Sequence, residues 1–180
     1  MQPELKWQPA SAMNQSILSA KLCQWILHPG SFMQRLEEHG AIQPRVQVLC
    51  HEWQSAVDDE RSSLNLATDS ETLIREVLIT SEDKTWMYAR TVFPREVLAI
   101  EPQLEHLATR SLGSVLFSNP TMRRSEFEVV NVGANTEWYQ VISQSTPLHA
   151  DHVWARRSKF YLQEKPLLLT EVFLPDIETL

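Results

Sequence analysis

The sequence is short of glycine, of cysteine and of uninterrupted apolar stretches. Its 180 residues include 4 glycines and 2 cysteines, and it contains no GxGxxG, P-loop or GxSxG pattern. Cys23 and Cys50 lack the spacing of a redox pair, so we expect two reduced thiols. No apolar run approaches the ~18 residues that a membrane-spanning helix needs. These absences argue against a phosphate-cradling loop, a disulfide scaffold and stable membrane insertion.

Basic residues are also scarce relative to acidic ones. The chain has 16 Lys and Arg against 23 Asp and Glu, which gives a formal net charge of −7. Because nucleic-acid binding relies on clustered basic residues, we expect no nucleic-acid partner. An anionic ligand would instead need one or two arginines placed locally. The first fifteen residues lack the basic and apolar regions of a secretory signal, so we expect a cytoplasmic protein.

Hydrophobic residues make up 43% of the chain, enough for the core of one domain over residues 1–180. Helical spacing predicts two early helices, the second capped by Ser31 and ended by Gly40, and a later helix that begins at Pro94. Strands are predicted in the stretches PRVQVLCHEW, LIREVLIT, TWMYARTVF, EFEVVNV, VWARRSKFYL and KPLLLTEVFLP. The polar segments 54–70 and 133–152 are predicted to be loops. This order of elements predicts an α+β fold with an antiparallel sheet and helices on one side.

Three of the predicted strands each carry one ionisable side chain on an apolar face. These faces are Leu73, Arg75, Val77 and Ile79; Trp86, Tyr88, Arg90 and Val92; and Leu167, Leu169, Glu171 and Phe173. An unpaired buried charge costs several kcal/mol, so the pattern needs an explanation. Glu171 could pair with Arg75 or Arg90 as a buried ion pair, or one face could be exposed. Alternatively, the three groups line a closed pocket in which the arginines meet a ligand carboxylate and Glu171 meets a ligand hydroxyl.

Two further clusters are predicted to be exposed. His149, Asp151 and His152 lie in a polar segment with no matching second cluster, so we expect neither a metal site nor another cofactor. The basic doublets are expected at exposed strand ends; they are Arg123, Arg124, Arg156 and Arg157.

The ordered motifs IREVLI, W.YARTVFP, LG.VLF, R.EFEV and KPLLLTEVFLP resemble the chorismate pyruvate-lyase (4-hydroxybenzoate synthase) family. The resemblance runs over residues 31–175, and the closing motif is its most specific part. It implies a single antiparallel six-stranded sheet, helices covering one face, and an internal ligand site closed by helical flaps. It also implies that pyruvate is removed from chorismate without a cofactor. The product would be 4-hydroxybenzoate, in the first committed step of ubiquinone biosynthesis.

The resemblance further implies roles for individual residues. Arg75 and the backbone amides of Leu112 and Gly113 would bind the ring carboxylate of chorismate. Arg90 would meet the pyruvyl carboxylate, and Glu171 would face the oxygen substituent at the far end of the ring. An apolar contact would come from Phe32 or Met33, whose register stays open.

The sequence departs from the family pattern at three places. Ala89 stands where a glycine is expected, so flap packing or product release would differ. Ser111 replaces a proline, and the segment 134–152 is longer than its counterpart, which predicts a surface excursion. Whether Glu171 transfers a proton also stays open, because burial raises the pKa of a carboxyl group and a nearby arginine lowers it.

A non-catalytic role is the alternative. The same fold serves as an effector-binding domain in a group of bacterial transcription regulators, where the pocket binds a small anion. About thirty residues precede Ser31, too few for an upstream DNA-binding domain, so we expect none. We also expect a monomeric protein. An inactive homologue that only carries hydroxybenzoate is a further possibility.

Overall fold

The computed structural model describes residues 5–39 and 43–180. In this part of the chain eight strands form one sheet, in the order β1-β6-β7-β8-β4-β3-β2, with β5 paired to β7. The strands are β1 (Gln8–Pro9), β2 (Arg45–Gln54), β3 (Thr72–Ser81), β4 (Lys84–Pro94), β5 (Arg123–Arg124), β6 (Glu128–Gly133), β7 (His152–Leu162) and β8 (Lys165–Phe173). All pairings are antiparallel. The six predicted strands are confirmed, but six is too few for the sheet. The two additional strands have two residues each, too few to show an alternating pattern.

Six α-helices accompany the sheet in the described residues. They are α1 (Ala20–Ile26), α2 (Phe32–Glu38), α3 (Asp58–Leu64), α4 (Arg95–Ile100), α5 (Leu112–Leu116) and α6 (Glu137–Ser145). Short 3₁₀ turns occupy Ala10–Ala12, Gln15–Ile17, Pro102–His106 and Pro175–Thr179. The predicted cap of α2 is confirmed, because the Ser31 side chain accepts a hydrogen bond from the amide of Gln34. The predicted end at Gly40 lies outside the described residues.

The helices cover both faces of the sheet, so the prediction that they cover one face is wrong. On one face, α1 and α2 pack on one apolar cluster and α4 and α5 on another. On the opposite face, Leu64 of α3 packs against Ile74, and Ile142 of α6 packs against Val132. Both α3 and α6 lie in segments predicted to be loops. Each buries only one or two apolar side chains, which is too few for a helical period to be recognised.

Strand register divides the charged residues between the two faces. Arg75 is paired with Thr91, and Glu171 is paired with Ala89 and Arg156. These residues share one face, here called the front face. Arg90 is paired with Glu76 and lies on the other, the back face.

A β-bulge in the β3–β4 hairpin sets this division. Near the turn, Ser81 is paired with Lys84 and Thr80 with Thr85, but Ile79 is paired with Met87, so Trp86 is an extra residue. Continuing the register of the turn without the bulge would place Arg90 opposite Arg75 and on the same face. One inserted residue reverses every side chain beyond it.

Both cysteines are free thiols. Over the residues described, no helix is long and apolar enough to cross a membrane.

Candidate active site

A cavity lies between the front face and the segments that carry the starts of α2 and α5. Its polar lining consists of Ser31, Arg75, Thr91, Ser111, Arg124 and Glu171. Six of the seven predicted site residues line it, namely Phe32, Met33, Arg75, Leu112, Gly113 and Glu171. Phe32 and Met33 both line the cavity, so each is placed to supply the predicted apolar contact. Ala89 and Thr91, two residues apart on β4, form part of the cavity wall that the sheet supplies.

Arg75 is a buried cation without a carboxylate partner among the described residues. Its side chain is 2% exposed, and Nη2 donates hydrogen bonds to the carbonyls of Ala108 (3.1 Å) and Arg110 (3.0 Å). The backbone of Ala108 adopts a left-handed conformation with φ 47°, so that this loop wraps the guanidinium group. Nε has no partner. Burial lowers the pKa of Arg75 to about 10, which means that a bound anion would stabilise its charged form.

The start of α5 lies beside Arg75. Arg110 supplies a carbonyl to Arg75, and Ser111 caps the helix through its side-chain oxygen, which accepts from the amide of Ser114. The first amides of a helix, here those of Leu112 and Gly113, have no acceptor within the helix. Together with Arg75 they form a group of donors at one end of the cavity.

Glu171 lies at the other end as an ionised carboxylate. Arg156 donates to it through Nε (2.6 Å) and Nη2 (3.0 Å), and Arg124 donates through Nη2 (3.0 Å). Burial acts to raise the pKa of Glu171, but the charges and hydrogen bonds of Arg156 and Arg124 outweigh it and hold the pKa below its ordinary value. Glu171 is therefore a hydrogen-bond acceptor at neutral pH, and it pairs with neither Arg75 nor Arg90.

Two of the four doublet arginines, Arg124 and Arg156, contact Glu171 and are residues that sequence reasoning missed. Arg156 is fully buried, Arg157 is 7% exposed and Arg124 lines the cavity, so only Arg123 occupies the exposed position expected of all four. A signal was present for Arg156. A two-residue turn at Gln163 and Glu164, both with positive φ, places Arg156 directly opposite Glu171.

The same arginines hold the connection between α1 and α2 over the cavity. Nη1 of Arg156 donates to the carbonyls of Trp25, Ile26 and His28, at 2.7 to 3.3 Å. Nη1 of Arg124 donates to the carbonyl of Pro29 at 3.1 Å. Trp25 and Ile26 are the last two residues of α1, and His28 and Pro29 follow it, so these bonds fix the end of the helix and the chain that leaves it.

The two covering segments meet where α2 and α5 begin. A Cβ atom at Gly113 would lie 3.3 Å from Oγ of Ser31, a tight contact that would require the Ser31 side chain to shift by a few tenths of an ångström. The cavity is thus closed from the side of α2 and from the side of α5.

Arg90 does not line this cavity, so the prediction that it shares a pocket with Arg75 is wrong. On the back face, Glu60 accepts from its Nε (2.7 Å) and Nη2 (3.0 Å), and Glu76 accepts from Nη1 (2.6 Å). Burial acts to lower the pKa of Arg90, but Glu60 and Glu76 outweigh it and raise that pKa. The bulge at Trp86 is the reason for the different face.

The structure describes no group of three or more His, Cys, Asp or Glu side chains placed to hold a metal ion, within residues 5–39 and 43–180. His149, Asp151 and His152 are exposed, as predicted.

The fold and this cavity define a class: an α+β protein with an arginine-lined cavity between a sheet and the helices on one of its faces. A family model described as chorismate lyase matches residues 1–179. The probable chorismate pyruvate-lyase of Coxiella burnetii is 31% identical over 178 residues, which cover 98% of this chain and 95% of that protein. The protein of the same name from Pseudomonas aeruginosa PAO1 is 33% identical, covering 90% and 88%. The chain belongs to the chorismate lyase family.

Solved structures with a similar fold include effector domains of transcription regulators. The PhnF C-terminal domain has a TM-score of 0.61 at 13% identity, with 88% of this chain and 94% of that one covered. The effector domain of PhnF from Mycobacterium smegmatis has a TM-score of 0.60 at 12% identity, with coverage of 83% and 91%. At these identities the likeness concerns the fold alone.

Proposed function

We propose that this protein is a chorismate pyruvate-lyase, which eliminates pyruvate from chorismate to give 4-hydroxybenzoate for ubiquinone biosynthesis. One observation carries the proposal: a single cavity holds a buried arginine without a carboxylate partner at one end and a buried, ionised glutamate at the other. This pair matches a ring with a carboxylate at one end and a hydroxyl at the other. In this proposal the enzyme acts in the cytoplasm as a monomer and, as the resemblance implies, without a cofactor.

Arg75 binds the ring carboxylate of chorismate in this proposal, together with the amides of Leu112 and Gly113. Hydrogen bonds between charged partners in a dry site are about twice as strong as neutral ones. Phe32 and Met33 form the apolar wall that excludes water from the ring. The dianion therefore exchanges its hydration for fixed donors that are already in place.

Glu171 accepts a hydrogen bond from the ring hydroxyl. Since its pKa is lowered, it is a weak base and has no proton of its own to donate at neutral pH. Its negative charge polarises the hydroxyl and stabilises positive charge that develops in the ring as the ether bond breaks. The role of Glu171 is thus orientation and electrostatic stabilisation.

The substrate itself completes the hydrogen balance. The ether C–O bond breaks, its electron pair goes to the departing oxygen, and the ring loses the hydrogen on the carbon that bears the hydroxyl. That hydrogen reaches the methylene carbon of the enolpyruvyl group, which leaves as pyruvate. The ring becomes aromatic, which supplies the thermodynamic drive.

A direct assay tests the proposed reaction. Purified protein is incubated with chorismate, and 4-hydroxybenzoate and pyruvate are quantified by chromatography, with an expected ratio of one to one. In parallel, calorimetry measures whether 4-hydroxybenzoate binds. Binding without any product from folded protein would refute the lyase and leave the alternative, a non-catalytic domain that binds aromatic acids.

Because two segments close over the cavity, we expect product release to limit turnover. Rapid-quench measurements should show a burst of 4-hydroxybenzoate equivalent to about one product per enzyme, followed by a slower steady state. A linear time course from the first turnover would show that chemistry is limiting.

A further inference from the structure

Chorismate has two carboxylates, and Arg75 accounts for one of them. Arg90, which the family resemblance assigns to the second, lies on the back face with Glu60 and Glu76 as partners. If Arg90 moved to bind a ligand on the other face of the sheet, both carboxylates would be left buried without a cation, which is unfavourable. The carboxylate of the enolpyruvyl arm therefore needs a different partner on the front face.

We propose that Arg124 binds the carboxylate of the enolpyruvyl arm and thereby distinguishes the dianionic substrate from the monoanionic product. This inference rests on the proposed function. It adds a specificity-determining residue to the same site, at a position that the sequence pattern had assigned to an exposed strand end.

The position of Arg124 matches the chemistry of the substrate. In chorismate, the ring carbon that bears the ether is adjacent to the carbon that bears the hydroxyl. The group that binds the enolpyruvyl carboxylate must therefore lie beside the group that binds the hydroxyl. Arg124 lines the cavity, and its Nη2 lies 3.0 Å from Oε2 of Glu171.

Arg124 also keeps donors for a second anion. Its guanidinium group has five N–H bonds, and three hydrogen bonds are made within the protein. Nε donates to the hydroxyl of Ser158 (2.8 Å), Nη1 to the carbonyl of Pro29 (3.1 Å) and Nη2 to Glu171. Two N–H bonds are left for a ligand, with the guanidinium held in place by the other three.

The surroundings of Arg124 favour an additional negative charge. Its guanidinium carbon lies 4.4 Å from the ring centroid of Phe127 and 4.6 Å from that of Phe160. Burial is the main reason that the pKa of Arg124 is lowered to about 10, even though Glu171 is its neighbour. Glu171 carries one negative charge and accepts hydrogen bonds from both Arg124 and Arg156, so it balances only one of their two positive charges.

The charges at the site match a dianion. Arg75, Arg124 and Arg156 carry three positive charges and Glu171 carries one negative charge, which leaves a formal excess of two. Substrate neutralises this excess, whereas 4-hydroxybenzoate neutralises half of it. Arg156 itself donates to three backbone carbonyls and to Glu171 and does not line the cavity, so Arg124 is the residue available for the second carboxylate.

Two stable ligands that differ only in the arm test the proposal. The first is 3-carboxymethoxy-4-hydroxybenzoate, a diacid, and the second is 3-methoxy-4-hydroxybenzoate, its monoacid counterpart. Calorimetry with the full chain gives the ratio of their Kd values. In the wild type the diacid should bind at least ~10-fold more tightly, because one charge-assisted hydrogen bond is worth about 1.5–3 kcal/mol.

Arg124→Met should reduce this ratio to about one, and Arg124→Lys should restore part of it. Arg123→Met is the matched control, because its side chain is 58% exposed and bonded to Glu164 on the surface. Thermal unfolding without ligand shows whether each variant is folded. If Arg124→Met does not fold, the ratio of Kd values is compared between the wild type and Arg124→Lys, which keeps the positive charge beside Glu171.

Equal losses for both ligands would overturn the proposal, because Arg124 would then act only by orienting Glu171. A wild-type protein that does not favour the diacid would overturn it as well. The ratio is measured without turnover, so a protein that binds the diacid selectively and makes no product would contradict the lyase function and leave the role of Arg124 standing.

Discussion

Arg75 and Arg90 lie on the paired strands of one hairpin, but they point to opposite faces of the sheet and have opposite surroundings. Arg90 has two carboxylates, which engage Nε, Nη1 and Nη2. Arg75 has two backbone carbonyls on one nitrogen, and its Nε is unpaired among residues 5–39 and 43–180. The pKa of Arg90 is raised by its partners, whereas burial lowers that of Arg75.

The difference separates a structural charge from a binding charge. The charge of a buried arginine with carboxylate partners is balanced without a ligand, and removing the arginine leaves those carboxylates without a positive charge nearby. A buried arginine held by carbonyls alone keeps its charge and is stabilised by an anion from outside. Burial of a charged residue is therefore weak evidence for a site, and the identity of its partners is stronger evidence.

The largest expected effect is on the stability of Arg90→Met. Glu60 and Glu76 would be left without a cation, which costs about 3–5 kcal/mol in the free energy of unfolding. Denaturant titration measures the loss, and the folded fraction should still bind 4-hydroxybenzoate with unchanged affinity. Arg95→Met, which breaks an exposed pair with Glu71, is the control and should cost at most ~1 kcal/mol. A large loss of affinity for 4-hydroxybenzoate in folded Arg90→Met would show that Arg90, like Arg75, takes part in ligand binding.

The next effect is on catalysis by Arg75→Met. If Arg75 contributes about 3 kcal/mol to transition-state binding, kcat/KM for chorismate should fall at least ~100-fold. The free energy of unfolding should fall by less than half as much as in Arg90→Met, because only carbonyls lose a donor. As a readout of ligand binding, 4-hydroxybenzoate should raise the Tm of the wild type and leave that of Arg75→Met unchanged. Near-normal activity in this variant would refute the assigned role.

The smallest effect concerns the pH dependence contributed by Glu171. Its pKa is lower in the folded protein than its ordinary value of 4.5, so the unfolded chain takes up this proton first as pH falls. The stabilisation is therefore complete above about pH 4.5 and is lost below it, at up to ~1.4 kcal/mol per pH unit. Unfolding measured at several pH values should show a shallower acid slope in Glu171→Gln. The exposed control Glu164→Gln should keep the wild-type slope, and a similar slope in all three proteins would show that Glu171 is not held ionised.

The strands and most of the cavity wall could be predicted from the sequence. Alternation placed Arg75 and Glu171 on apolar faces, and the family motifs indicated Leu112, Gly113, Phe32 and Met33. Alternation could not relate the face of one strand to that of the next. The bulge at Trp86 decides that relation, and it depends on packing across the sheet that no local pattern encodes.

The partners of Glu171 were missed for a related reason. Arg124 comes from a two-residue strand, and its contact with Glu171 spans 47 residues. Arg156 was within reach of prediction, because a two-residue turn fixes the pairing of β7 with β8. Doublets of basic residues usually lie on surfaces, and here the apolar residues around them were the better guide.

The bonds from Arg156 to the carbonyls of Trp25, Ile26 and His28 join positions that are 128 to 131 residues apart. Strand β7, which carries Arg156, and β8, which carries Glu171, are the last two strands of this sheet in chain order, whereas α1 and α2 precede all but one of its strands. We therefore expect α1 and α2 to dock only after β7 and β8 have been synthesised and paired. The cover of the cavity would then form late in folding, after the sheet beneath it is complete.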